Sequence, residues 1–358
     1  MAEAPKETER RATPAEASTE AQKRLDSMLD AVDPARPVAI YTHDHPDPDS
    51  IASAYAMQHL LSRRLEIEPI IAYGGRIGRA TNHAMVDQLG VRLYPLAQVR
   101  TPDFGTNILI DTQPETGNHS IPADLPIAIA IDHHPIRPET SRVRFADIRT
   151  EYGSTSTIMY YYLKAAGLDL PTRLATALLF GIKSDTRDLE REASEADLHA
   201  YLEIFPHADL TLLTRIENPL IPRSHFEVFH KALEESEIVG DAVVTDIGQV
   251  DNADVVAELA DFLIPLERVD YALVMGRHRD RLYLSLRTRD EIHDAGRLIS
   301  TVVGDLGTAG GHGKMAGGQI ELDPGGSDPA DEVRRRLKAA LGMDEETTGQ
   351  PLIRDGKG

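Results

Sequence analysis

The 358-residue chain contains no cysteine and no tryptophan. Without thiols it forms neither disulfides nor thiolate metal sites, so any metal must sit on His, Asp or Glu. It lacks any apolar run of about 18 residues, which excludes a transmembrane helix. Residues 1–22 lack the apolar stretch of a secretory signal, and a cytoplasmic location is the expectation. No GxSxG elbow and no GxxxxGK[ST] loop occurs, so serine-nucleophile and P-loop mechanisms have little support. Basic residues are outnumbered, 38 against 58 acidic, for a net charge of -20. That balance argues against wrapping a long duplex, because phosphate neutralisation supplies most non-specific affinity. A small anionic substrate stays open, since bound divalent cations reverse the field inside one cleft.

The length suits two domains at about 150 residues each. Residues 1–18 read as a disordered tail, 19–205 as a first domain and 206–235, with Pro219 and Pro222, as a linker. Residues 236–345 read as a smaller second domain and 346–358 as a second tail. In the first domain, short apolar runs at 36–42, 69–73, 107–111 and 126–132 read as strands. Helical patterns lie at 50–65, 81–89, 153–166, 172–184 and 194–205, with Asp49 or Ser50 as cap of the first. Strands that are apolar throughout and alternate with helices predict a mostly parallel sheet flanked by helices, hence an α/β fold. The second unit reads as strand 237–248, helix 253–263, strands 270–275 and 281–287, helix 293–303 and a glycine-rich turn at 304–318. It predicts a smaller α/β domain facing the first across a cleft.

The densest chemistry is Thr42 to Ser50 (THDHPDPDS), which places His43, Asp44, His45, Asp47 and Asp49 directly after a buried strand. Ligands in open α/β sheets bind off the carboxyl ends of strands. Pro46 and Pro48 stiffen the loop. Carboxylates this close repel one another and need a cation or water between them; a solvated acidic turn is the plain alternative. Asp111 ends the apolar run NILID, where a turn or capping residue is equally ordinary. Asp132-His133-His134-Pro135 follows PIAIAI. Side chains alternate along an extended segment, so one imidazole can face a metal while its neighbour faces substrate, with Asp132 orienting a histidine from behind. Lys183 and Asp185 follow the apolar run ATALLF and suggest a helix end aimed at a site, though alone the pair is unremarkable. Hard oxygen donors with some nitrogen favour Mn²⁺ or Mg²⁺ over structural zinc. Two such ions about 4 Å apart are the usual solution for phosphoryl chemistry. Farther on, Gly310 to Gly318 (GGHGKMAGG) offers close backbone approach and N–H groups for an anion, with His312 and Lys314 adding charge; a tight turn explains it as well. Arg287 is a second candidate phosphate ligand, or else a surface arginine on an edge strand.

In combination, HxxxDxD, NILID, DHH and SDT resemble the DHH family of phosphoesterases. GGHGKMAGG resembles the glycine-histidine signature of the C-terminal domain found in one branch. The likeness spans about residues 36–322 and is nearest to the nano-RNase and pAp-phosphatase members. It implies that 19–205 is the catalytic domain and 236–345 the substrate-binding one. It implies that His43 and Asp47 hold one metal, that Asp49, His133 and Asp185 hold the other, and that Asp111 bridges both. His134 would contact the scissile phosphate with Asp132 supporting the histidines; Arg287, Gly310, Gly311 and His312 would bind the far end of the substrate. The implied activity is phosphoric ester hydrolysis of short oligonucleotides, 3′-phosphoadenosine 5′-phosphate or both, by water attack with two Mn²⁺ ions, Mg²⁺ being the alternative. The implied partner is a small nucleotide, not long duplex or membrane, and a homodimer is an open option. His45 stands where the family often carries arginine, and Met315 where a small residue is usual. A cyclic dinucleotide phosphodiesterase, a single-strand exonuclease and an inorganic pyrophosphatase are the rivals within the enzyme class. A non-catalytic nucleotide sensor is the rival outside it.

Overall fold

The computed structural model describes residues 13–190, 193–290, 294–323, 325–344 and 346–353; of His312 only the backbone is described. The chain divides into two units at Leu220/Ile221.

The first unit is built on a six-stranded sheet: β1 Val38–Tyr41, β2 Ile70–Tyr73, β3 Leu93–Pro95, β4 Thr106–Ile110, β5 Ile129–Asp132 and β6 Phe145–Ile148. Every neighbouring pair is parallel, in the order β3-β2-β1-β4-β5-β6. The order reverses between β1 and β4, which is where open α/β sheets form a crevice for ligands. Among the described residues seven α-helices accompany it: α1 Pro14–Asp30, α2 Pro48–Leu65, α3 Ala80–Leu89, α4 Thr155–Ala165, α5 Thr172–Asp185, α6 Glu195–Ile204 and α7 Leu210–Glu217. Ile40, Ile71, Ile108 and Ile131 share one core with these helices. Their alternates Tyr41, Ala72, Leu109 and Ala130 pack on the other face beneath loop residues such as Val99 and Phe104. Burial on both faces explains why the strands read as continuous apolar runs.

The second unit carries a seven-stranded mixed sheet, in the order β11-β12-β10-β9-β8-β7-β13. Its strands are β7 Glu237–Val239, β8 Ala242–Gln249, β9 Tyr271–His278, β10 Arg281–Thr288, β11 Gly307–His312, β12 Met315–Glu321 and β13 Gln350–Pro351. Helices α8 Arg223–Glu235 and α9 Asp254–Leu263 cover one face. Helices α10 Ala295–Val303 and α11 Ala330–Ala340 cover the other.

Several boundaries move. The expected tail to residue 18 is helical from Pro14, because Thr13 and Glu16 form a capping box and Ala17, Ala21, Leu25 and Met28 bury one helix face. The expected linker 206–235 is mostly α7 and α8. Within the expected second tail, Gln350 and Pro351 pair with β7. The strand over 237–248 is two antiparallel strands turning at Gly240, whose φ is +63°. The glycine-rich stretch is a hairpin, not a loop.

Candidate metal centre

Asp47, rather than Asp49 or Ser50, caps α2. Its Oδ1 accepts the Ser50 amide at 2.9 Å, and Pro48 takes the first helical position. Asp49 is thereby placed in the first turn, fully buried. Its carboxylate accepts the backbone amides of Thr155 and Ser156 at 2.7 and 2.8 Å, so it satisfies two orphan donors at the start of α4. Asp111 is the first residue past β4 and adopts φ 60°. Its Oδ1 accepts the Thr155 hydroxyl at 2.8 Å.

Two histidines aim Nε2 at these carboxylates. Nδ1 of His43 lies 2.8 Å from the Asp44 carbonyl, and Nδ1 of His133 lies 3.3 Å from the Tyr152 carbonyl. A carbonyl only accepts, so each Nδ1 carries a proton and Nε2 is the nitrogen left for a metal to take. Nε2 of His43 is 3.7 Å from Asp47 Oδ1 and 3.5 Å from Asp111 Oδ2. Nε2 of His133 is 3.0 Å from Asp185 Oδ2 and 3.7 Å from Asp111 Oδ1. Buried as it is, that nitrogen has no hydrogen-bond partner, because Asp185 lies near it but out of line for a hydrogen bond. Among the described residues, three groups offer ligand atoms within 4.8 Å of one another: His43–Asp47–Asp111, Asp49–His133–Asp185 and Asp111–His133–His134. Asp111 belongs to two of them, with Oδ2 toward His43 and Oδ1 toward His133.

The electrostatics are those of a centre short of positive charge. Burial, then Asp111 and Asp185, push Asp49 well above the ordinary carboxylate value of 3.8. Burial, then the Asp47 and Asp111 charges, raise Asp185 despite its His133 neighbour. Burial depresses His43 and His133, but Asp111 and Asp47 for the first, and Asp185 and Asp111 for the second, outweigh it and hold both well above 6.5. Asp49, Asp185 and the two histidines are thus all pushed toward holding protons, positive charge that a divalent cation would replace. An orphaned buried imidazole nitrogen, two Nε2 atoms aimed at clustered carboxylates and a deficit of cations all fit a metal centre.

Asp132 stands behind it. Its Oδ1 accepts the His133 amide at 2.8 Å and the His134 amide at 3.3 Å, and lies 2.8 Å from His134 Nδ1. Oδ2 accepts the amide of buried Gln113 at 2.7 Å. Gln113 Oε1 in turn accepts the Arg137 amide and the Thr140 hydroxyl, so the loop after β5 is fixed at both ends. His134 is left with Nε2 free of Asp132 and its side chain 40% exposed.

Residues 37–182 match the DHH family, N-terminal domain. An uncharacterized protein of Methanocaldococcus jannaschii is 35% identical over 288 residues, 80% of this chain; the chain spans 58% of that relative's length. A probable manganese-dependent inorganic pyrophosphatase of Streptococcus pyogenes is 26% identical over 229 residues, 61% of this chain and 73% of that protein. The crystal structure of an exopolyphosphatase-related protein from Bacteroides fragilis superposes with a TM-score of 0.73 at 14% identity. The match covers 90% of this chain and 96% of that one, and shows that the two share a fold.

The first unit brings together every residue expected to ligate metal: His43, Asp47, Asp49, Asp111, His133 and, three residues past the matched segment, Asp185. Lys183 turns elsewhere, to Glu217 and Asp188. In the second unit the expectations fare differently. Arg287 is not a surface residue on an edge strand: β10 lies between β9 and β12, and Arg287 is buried. Its Nε pairs with Asp261, and Nη1 donates to Ser285 Oγ at 2.9 Å and the Leu286 carbonyl at 3.1 Å. Its charge is thus already partnered. Gly311, at φ 151°, has no room for a Cβ, which would lie 2.5 Å from Ala316, whereas Gly310 faces open space and is exposed. The His312 side chain lies outside the described residues. Sequence reading missed Gln113 and the donors of Thr155. Gln113 gives no local signal, and Thr155 sits at a helix start, where a polar residue is ordinary.

Proposed function

We propose that this chain is a divalent-metal-dependent hydrolase of phosphoric esters, acting on short oligonucleotides, 3′-phosphoadenosine 5′-phosphate or both. The observation that carries the reading is Asp111, whose Oδ2 lies 3.5 Å from Nε2 of His43, in the His43–Asp47–Asp111 group, and whose Oδ1 lies 3.7 Å from Nε2 of His133, in the Asp49–His133–Asp185 group. His43, Asp47 and Asp111 would hold one ion, and Asp49, His133, Asp185 and Asp111 the other. Oxygen donors mixed with imidazole suit Mn²⁺, with Mg²⁺ as the alternative; the manganese-dependent relative supports that choice. Such ions, when bound, supply Lewis acidity toward phosphoryl oxygens and make water acidic near neutral pH. The chain's own residues do the rest. His134 is held by Asp132 at Nδ1 and directs Nε2 outward. Burial lowers its pKa, but Asp132 and Asp111 raise it overall, favouring an imidazolium that donates a charge-assisted hydrogen bond to phosphoryl oxygen. Gly310, with no neighbour on its open side, leaves exposed backbone where a terminal phosphate can approach, and His312 follows two residues on.

A second reading is inorganic pyrophosphate hydrolysis, favoured by the description of the Streptococcus relative. A turnover panel with Mn²⁺ separates the two. It contains 3′-phosphoadenosine 5′-phosphate, a dinucleotide, a 25-nucleotide RNA, a cyclic dinucleotide and pyrophosphate. Fast cleavage of the first two, with little on the long RNA, is the expected result. Preference for pyrophosphate establishes the second reading. Preference for the cyclic dinucleotide or the long strand overturns the substrate assignment, and no turnover with metal bound overturns the enzyme reading.

A further inference from the structure

Thr155 gives two donors to the acidic centre, one to each of two carboxylates. Its amide meets Asp49 Oδ2 at 2.7 Å and its hydroxyl meets Asp111 Oδ1 at 2.8 Å. The residue is fully buried at the first position of α4, where a β-branched side chain has little rotamer freedom. Its backbone is anchored from behind. Ser154 caps the helix, and the flanking Gly153 amide and Thr157 hydroxyl both donate to Asp197, a buried carboxylate of α6. Asp197 also accepts the Ser194 amide and hydroxyl, so its acceptor sites are filled and it serves only as a frame.

The consequence falls on Asp111. A carboxylate is free to turn about its Cβ–Cγ bond unless something holds one oxygen. Here Oδ2 faces His43 and Oδ1 faces His133, one oxygen toward each ligand group. The hydroxyl of Thr155 sits on Oδ1 and fixes that turn. We infer that Thr155 is a positioning residue of the metal centre: its hydroxyl sets the Asp111 carboxylate so that one oxygen serves each group, while its amide fixes Asp49. The inference rests on the two-metal reading proposed above.

The test uses the full chain, wild type and the variants Thr155→Val and Thr155→Ser. Bound Mn²⁺ is counted by titration calorimetry and by loss of the free-ion paramagnetic resonance signal. The thermal midpoint is measured on the metal-free proteins. Valine keeps the shape and removes the hydroxyl; serine keeps the hydroxyl. The expected result is Mn²⁺ affinity about 10- to 100-fold weaker in Thr155→Val, the usual loss when a group orienting a ligand is removed. Thr155→Ser binds as the wild type does. A purely structural role would move the melting of the metal-free chain and leave affinity in step with it. Wild-type binding by Thr155→Val overturns the inference. So does a loss of about 10-fold or more in Thr155→Ser relative to wild type, and that outcome is readable even if Thr155→Val does not fold. Wild-type protein that binds fewer than two Mn²⁺ overturns the two-metal reading itself, and is seen before any variant is made.

Discussion

Asp111 sits at φ 60°, a conformation that L-residues adopt reluctantly and that aspartate and asparagine tolerate best. Asp111→Asn therefore keeps the backbone while removing the charge. Its expected effect is loss of metal-dependent turnover to below about a tenth of wild type, from steady-state rates in Mn²⁺. The metal-free chain should melt no lower, because one of four mutually repelling carboxylates is gone. Greater residual activity would contradict the shared role. At this scale the candidate ligands were legible: each is a charged or imidazole residue just past a buried apolar run, where solvation is least available and chemistry most economical as an explanation. Gln113 and Thr155 were not. Each is one ordinary polar residue whose partner lies 19 or 44 positions away, and only the fold shows that distance closing. Arg287 misled for the same reason, since nothing near it in sequence announces Asp261.

Among the elements, the glycine-rich hairpin separates two kinds of glycine. A Cβ at Gly296 of α10 would lie 2.0 Å from the Gly311 carbonyl oxygen, so helix and strand touch backbone to backbone. Gly296→Ala should destabilise the second unit by about 1–3 kcal/mol, the usual range for overpacking, measured by urea denaturation. Gly310→Ala meets nothing within 4 Å and should stay within about 0.5 kcal/mol of wild type. If the open side of the hairpin binds substrate, the same Gly310→Ala protein loses affinity for short substrates at unchanged stability. Glycines required by packing and glycines left open for a ligand look alike in sequence, which is why a turn seemed as good an account as a site. Helix starts were misplaced by the same ambiguity. Asp47, Asp49 and Ser50 are all good caps, and Pro48 at the first helical position decides for Asp47.

On the scale of the whole molecule, each unit has its own core and its own electrostatic fastening. In the second, Arg277 of β9 pairs bidentately with Asp246 of β8, at 2.6 and 2.9 Å. Burial raises the Asp246 acid, but the Arg277 hydrogen bond outweighs it and holds the pKa below 3.8. A depressed folded-state pKa gives stability that is complete above the unfolded value and is lost as pH falls through the folded one. Stability of this unit should therefore decline from about pH 5 downward, and Arg277→Met should flatten that decline while lowering stability at neutral pH. Chemical denaturation across pH reads both. The division into two units was legible from length and from the second run of strands. The linker was not, because Pro219 and Pro222 punctuate the boundary while the residues on either side form amphipathic α7 and α8. The first unit's centre draws on segments after β1, β4 and β5 and at the end of α5, from His43 to Asp185. No fragment of the chain that has yet to pair β1 with β4 can present the shared carboxylate to both groups. In the two-metal reading, then, occupancy certifies assembly: a newly made copy that holds its full complement of ions has already passed inspection of its sheet, and one that has misfolded stays inert instead of acting with half a site.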